Sequence, residues 1–258
     1  RVGRRKGSVA SRLFWTFVPL AGVAVALLGW TVFSQSRQAL LQANQQSTIQ
    51  QLELAGNTIE GYLLQAASLT KATKAYQEGF GHEMAPDFVK YTSRLLQTVP
   101  EDSAFGIYTA FERKKYTDKN SCPGADRTES AIGEVDYDYH LEENDWYFMA
   151  KKTGKLYVSE PYFDEGGSNI TMVSVTEPMF DTNGELIGVA GTDLALEAVK
   201  KQASNLRVLI GAPSSDWKRG EYAMLVSRTG AIIAHPDRSL LPDKGREGKS
   251  IEDLKGYT

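Results

Sequence analysis

The sequence predicts an α+β protein: a helix long enough to cross a bilayer, a long helical continuation, and then an antiparallel sheet. Three observations carry this. From Leu13 to Phe33, 21 residues hold no ionisable side chain. Residues 35–76 contain no proline and space Leu52, Ala55, Ile59, Tyr62, Ala66 and Leu69 by three and four, the period of one helical face. Beyond residue 104 apolar residues alternate in short runs separated by Gly, Asn and Asp, the pattern of strands and turns.

The apolar run comes first in the chain. At about 1.5 Å per residue it spans the roughly 30 Å hydrocarbon core, and Trp15 and Trp30 stand near its two ends, where indoles favour the interface. Arg1, Arg4, Arg5, Lys6 and Arg12 precede it with no acid among them, which places the N-terminus in the cytoplasm and the residues after Ser34 outside. A cleaved secretory signal also begins basic and turns apolar, but its core runs roughly 7 to 15 residues; an uncleaved anchor fits better. The other 24 of the 29 basic residues face all 32 acids, a balance that excludes a nucleic-acid partner. One cysteine, Cys122, excludes an intramolecular disulfide. In a polar connection over 113–130 it reads as an ordinary surface thiol.

The stripe on residues 35–76 must be covered by a partner helix or by the domain that follows. A second helix is expected over Pro86 to Thr98, a strand over Ala104 to Phe111, and a short helix over Asp145 to Lys152. Strands follow over Leu156 to Ser159, Ile170 to Phe180 and Leu186 to Asp193; Asp181-Thr-Asn-Gly184 supplies the turn between the last two. Leu194 to Asn205 reads as a helix, with Asp193 as a candidate cap. After a junction at 210–220 a new hairpin opens near Tyr222 and turns at Arg228-Thr-Gly230. One hairpin and a polar tail cannot bury a core, so the native chain is expected to continue.

Several enzymatic signatures fail. Ser68-Leu-Thr-Lys71 with Lys152-Thr-Gly154 lacks the third element of the penicillin-recognising serine enzymes. Gly248-Lys249-Ser250 has Asp243 where a phosphate loop needs its first glycine. His82, His140 and His235 are too scattered for a zinc site. No catalytic residue, metal or cofactor is expected, although an output domain beyond residue 258 could be catalytic.

The sequence NDWYFMA, then SEPYFD with Tyr162 sixteen residues after Trp146, then ITMVSVTEPMF and GELIGVAGTDL, resembles the membrane-distal module of a double Cache (dCache) sensor domain from bacterial transmembrane receptors of the chemoreceptor and histidine-kinase type. The resemblance implies PAS-like antiparallel sheets. It divides the chain into a cytoplasmic tail (1–12), a transmembrane helix (13–34), a stalk helix (35–76), a membrane-distal ligand-binding module (77–212) and an incomplete membrane-proximal module (213–258). In the family's amino-acid-binding members an Arg two residues before the Trp holds the ligand carboxylate, while aromatic and Asp residues surround the ammonium. Trp146, Tyr147, Tyr162, Asp164 and Asp193 match those positions, and Asn144 stands in place of the Arg. A neutral amide offers no charged fork to a carboxylate. The expected ligand is therefore an amine or other small cation, held by these residues with Asp145 as a third carboxylate and Tyr108 in the wall. The alternatives are an amino-acid or organic-acid sensor and a non-binding dimerisation or docking module. The partners expected are a small-molecule ligand, the membrane and a second copy of the chain joined through the stalk helix.

Overall fold

The computed structural model of the protein describes residues 9–80, 85–115, 119–128, 132–135, 137–201 and 224–254. The basic residues 1–8, the junction expected at 210–220 and the far end of the helix expected to reach Asn205 lie outside these.

One uninterrupted helix, α1, runs over Val9–Phe80 and carries Pro19 within its apolar part. By length and composition it can cross a membrane. Residues 1–51 and 52–258 form two compact units. In the first, Phe14, Trp15, Leu20, Leu28, Trp30 and Phe33 are all exposed, as are Leu40, Leu41 and Ile49 further along.

The second unit is built on an antiparallel sheet whose strands run β3 (Ile132–Glu134), β2 (Ser121–Asp126), β1 (Gly106–Phe111), β7 (Leu186–Ala195), β6 (Thr171–Phe180) and β4 (Tyr157–Val158); β5 (Tyr162–Phe163) also pairs with β6. Successive side chains on a strand point to opposite faces, and the two faces are covered differently. The upper part of α1 and helix α2 (Ala85–Thr98) cover one: Ala66 packs with Val173, Val175 and Leu194, and Leu69 with Leu96, Ala104 and Ile107. The expected stripe is thus buried at Ala66 and Leu69 but exposed at Leu52; the sheet covers its upper end. Polar pins supplement this packing. Thr70 Oγ1 lies 2.9 Å from the Val175 carbonyl and 3.0 Å from Thr192 Oγ1, and Gln77 donates to Thr109 Oγ1 at 3.3 Å.

Helix α3 (Asp145–Thr153) covers part of the other face through Trp146, Tyr147 and Ala150. Its C-cap Gly154 adopts the left-handed conformation, φ 65°, that ends a helix without a Cβ penalty. Between β6 and β7 the Asp181 carboxylate accepts from the amides of Asn183 and Glu185 and Gly184 has φ 80°, as the turn tetrapeptide anticipates.

Three expectations change. Ser-Cys-Pro-Gly-Ala-Asp is not a polar connection but the buried strand β2; its pairing with β3 shifts register between Ser121 and Gly124, where Pro123 has no amide to donate. Cys122 is accordingly buried. Helical structure begins at residue 196, and Asp193 belongs to β7, so it caps nothing. The new hairpin is present as β8 (Leu225–Val226) and β9 (Ile232–Ala234).

Tyr108 faces α3 between two glycines, Gly191 on β7 and Gly124 on β2. A Cβ at Gly191 would overlap the Tyr108 ring and stand 2.6 Å from its hydroxyl oxygen. Gly191→Ala should therefore cost about 1–3 kcal/mol through overpacking and lower the Tm in thermal denaturation; an unchanged Tm would show that the ring has room to move.

Candidate functional site

The α3 face of the sheet leaves a cavity of about 150 Å³ between β1, β2, β7, α3 and the segment 162–168. The cross-strand register builds its floor. Asp193 sits opposite both Gly106 and Ser174, and Gly106 sits opposite Asp126, so these residues form one row on one face. Tyr108 and Trp146 meet edge to face at 5.5 Å and supply an aromatic wall; Tyr162, Tyr137, Asp164 and Ser168 close another side.

Asp193 is the most enclosed of the acids. Ser174 Oγ donates to its Oδ1 at 2.6 Å and is itself 2.8 Å from the Tyr162 hydroxyl. Burial pushes the Asp193 carboxyl well above the usual carboxylate range; the Ser174 hydrogen bond opposes this and the charges of Asp164 and Asp126 add to it. The Asp164 carboxyl is raised too, again chiefly by burial. It accepts from the Ser168 amide at 2.7 Å and the Tyr137 hydroxyl at 3.2 Å. Asp126 accepts from the Thr128 amide and hydroxyl, each at 2.8 Å, and from Ser168 Oγ at 2.7 Å. Among the described lining residues there is no Lys, Arg or His, and a fourth acid at the edge, Glu134, is exposed and paired with Lys119 at 2.6 Å. The Trp146 indole N–H is buried without a hydrogen-bond partner, whereas the Tyr108 hydroxyl stands by Asp193 and Ser174 and interacts with both. A buried donor is costly unless something pairs with it.

Of the residues singled out from the sequence, Tyr108, Trp146, Tyr162, Asp164 and Asp193 line this cavity. Tyr147, Asp145 and Asn144 do not. The Tyr147 ring is fully buried, with its hydroxyl donating to Glu112 at 2.6 Å. Asp145, expected as a third carboxylate, accepts from the Tyr157 hydroxyl and the Glu160 amide, both at 3.0 Å, which ties α3 to the β4–β5 connection. Asn144 donates to the Asp138 carbonyl at 3.1 Å. Neighbouring residues on a helix point about 100° apart, so only one of the run 144–147 reaches the cavity.

The third carboxylate is instead Asp126. It was missed with Tyr137, Ser168, Ser174 and Cys122: Asp126 and Cys122 lie on β2, whose Pro123 and Gly124 read as a loop; Tyr137 and Ser168 lie on connections and Ser174 on β6. Ser174 was within reach: a polar residue inside the alternating run of β6 marks the face on which Asp193 must sit. The Cys122 thiol is held neutral by burial, reinforced by Asp193 and Asp164.

Residues 91–201 match the model of the methyl-accepting chemotaxis protein-like first PDC sensor domain. The methyl-accepting chemotaxis protein PscA of Pseudomonas syringae pv. tomato is 33% identical over 104 residues, 40% of this chain and 15% of that protein; the match thus spans under a fifth of that relative's length. Among solved structures, Methyl-accepting Chemotaxis protein X superposes with a TM-score of 0.59 at 23% identity, over 81% of this chain and 79% of that one. The ligand binding domain of Mlp24 with asparagine gives 0.55 at 20% identity, over 82% and 75%. These two likenesses show the fold, a helix-braced antiparallel sheet of the Cache/PDC type.

The raised Asp193 carboxyl makes the stability of the ligand-free protein depend on pH. Below about pH 4 the group is protonated in both folded and unfolded chains. Above that the unfolded chain ionises freely while the folded one resists, so stability falls as pH rises towards the folded value. Asp193→Asn should give a higher Tm than wild type at neutral pH and a flatter profile between about pH 5 and pH 8; parallel profiles would remove Asp193 as the cause.

Proposed function

We propose that residues 91–201, which match the model of the methyl-accepting chemotaxis protein-like first PDC sensor domain, act as a sensor domain whose cavity binds a small amine on the outer side of the membrane. One observation carries the reading: three largely buried acids, Asp126, Asp164 and Asp193, share one cavity, and among its described lining residues there is no base. Carboxylates enclosed together repel one another and are poorly hydrated, and an ammonium relieves both costs. Its N–H groups suit the acceptors Asp193 and Asp164, and its charge suits the negative faces of Trp146, Tyr162 and Tyr108.

Among the described lining residues a ligand carboxylate has no comparable partner. Asn144 carries a neutral amide and turns to the Asp138 carbonyl, so no guanidinium fork is offered. One feature favours a second reading. The Trp146 indole N–H donates only and lacks a partner; an acceptor on the ligand, as in an amino acid, satisfies it. Asparagine is what the Mlp24 domain was solved with.

Binding acts by population shift: a ligand with higher affinity for one arrangement of the sheet raises that arrangement's share. The route outward is β7. Asp193 faces the cavity, and its neighbour Thr192 touches Thr70 of α1, so a shift of β7 is felt by the helix that carries the apolar run. We further propose that this run anchors the chain in the membrane with its basic end in the cytoplasm. Two copies then associate along the exposed stripe that includes Leu52.

The test is a thermal-shift series with amines, amino acids and organic acids. At a hundredfold excess over Kd a binding amine stabilises by about 2.7 kcal/mol, and Asp193→Ala abolishes that gain. Stabilisation by amino acids and not by amines would transfer the site to the second reading.

A further inference from the structure

Trp146 stands in the cavity wall with an unpaired donor. It belongs to the first turn of α3, and Thr176 Oγ1 of β6 donates to its carbonyl at 2.7 Å, which ties that turn to the sheet. The ring lies edge to face with Tyr108 at 5.5 Å and with Tyr147 at 5.8 Å, and it tilts against Tyr139 at 5.8 Å. Packed against three rings and tied to β6, the indole cannot swing round to find a partner. It is 3% exposed, lines the cavity, and its N–H makes no hydrogen bond. Other polar groups of the wall are engaged with one another: Ser174 donates to Asp193, the Ser168 amide and the Tyr137 hydroxyl donate to Asp164, and the Tyr108 hydroxyl interacts with Asp193 and Ser174. A buried donor left unpaired is destabilising, and an indole N–H can only donate. What completes it is an acceptor carried by the guest.

Charge and size decide which acceptor that is. Asp164 and Asp193 share the wall with Trp146, and among the described lining residues there is no Lys, Arg or His. A carboxylate at the indole would meet those acids with one neutral donor to hold it, and like charges in a poorly solvated space repel. A neutral oxygen carries no such penalty. Of the neutral oxygens a hydroxyl suits best, because it takes the indole proton on a lone pair and offers its own hydrogen to walls rich in acceptors; a carbonyl or ether only accepts. A cavity of about 150 Å³ has room for one benzene-sized guest, about six non-hydrogen atoms.

We infer that the preferred ligand is a short amino alcohol, with its ammonium against Asp193 and Asp164 and its hydroxyl oxygen accepting from the Trp146 indole. Trp146 is then the residue that tells an amino alcohol from an alkylamine. The inference rests on the amine reading above and adds to it a second, uncharged point of attachment.

The experiment is calorimetric titration of the full chain in detergent with ethanolamine and aminopropanol. Each is set beside the alkylamine of the same shape (propylamine, butylamine) and the amino acid of the same chain length (glycine, β-alanine). Each amino alcohol is expected to bind about tenfold more tightly than its alkylamine, the scale of one hydrogen bond to a buried donor. Trp146→Phe, which keeps an aromatic ring and removes the N–H, should bring that ratio below about threefold. If the variant does not fold, the indole proton resonance of Trp146 in the wild-type chain decides in its place, by moving downfield with the amino alcohols and not with the alkylamines. An amino-alcohol advantage below about threefold in the wild-type chain overturns the inference and leaves the amine reading standing. A tenfold advantage that survives Trp146→Phe, or an indole proton that does not respond, overturns it as well. Tighter binding of glycine or β-alanine than of the amino alcohols overturns it in favour of a charged acceptor. If neither amino alcohols nor alkylamines bind, the amine reading itself falls and takes this inference with it.

Discussion

A carboxyl group held out of water at the centre of a sheet constrains the rest of this structure. Asp193 lies on β7, which is flanked on both sides by paired strands, where a charge is expensive unless it is matched. The protein supplies a hydroxyl from Ser174 rather than a cation. Around that choice stand Gly106, which leaves room beside the carboxylate, and the Tyr162–Ser174 contact, which fixes the direction of the hydrogen bond. The aromatic wall of Tyr108 and Trp146 limits access of solvent. The fold keeps a local deficit of positive charge that a guest can make good.

The same strand serves the opposite face. Thr192 and Asp193 point to opposite sides of the sheet, one to Thr70 on α1 and one to the cavity. Packing between α1 and the sheet is mostly apolar, through Ala66 and Leu69, and apolar contacts slide more readily than they break. The polar pins at Thr70, Lys74 and Gln77 are directional and fix a register. A change at Asp193 therefore meets a helix that resists some displacements and yields to others.

Much of the architecture was legible in the sequence because each signal had one dominant physical cause. The turn at Asp181–Gly184 and the alternation along β6 and β7 left no competing reading. β2 failed because its six residues contain Pro123 and Gly124, whose usual place is a turn. The strand is held by its neighbours: the Tyr139 hydroxyl bridges the carbonyls of Phe111 and Ser121, a contact that no local pattern announces. The site divides in the same way. Residues on separate elements, such as Tyr162 and Asp193, reach one cavity because each element presents one face to it. Within 144–147 helical geometry decides, and a motif read as a unit cannot say which of its members points inward.

Cys122 lies in the wall of the cavity, buried and flanked by the charges of Asp193 and Asp164, and the 258 residues contain no other sulfhydryl. Within these residues an alkylating probe or a spin label has one address, in the same wall as the acids. Held neutral and out of water, that thiol is a poor nucleophile, so its attachment waits on a local opening of the wall around it.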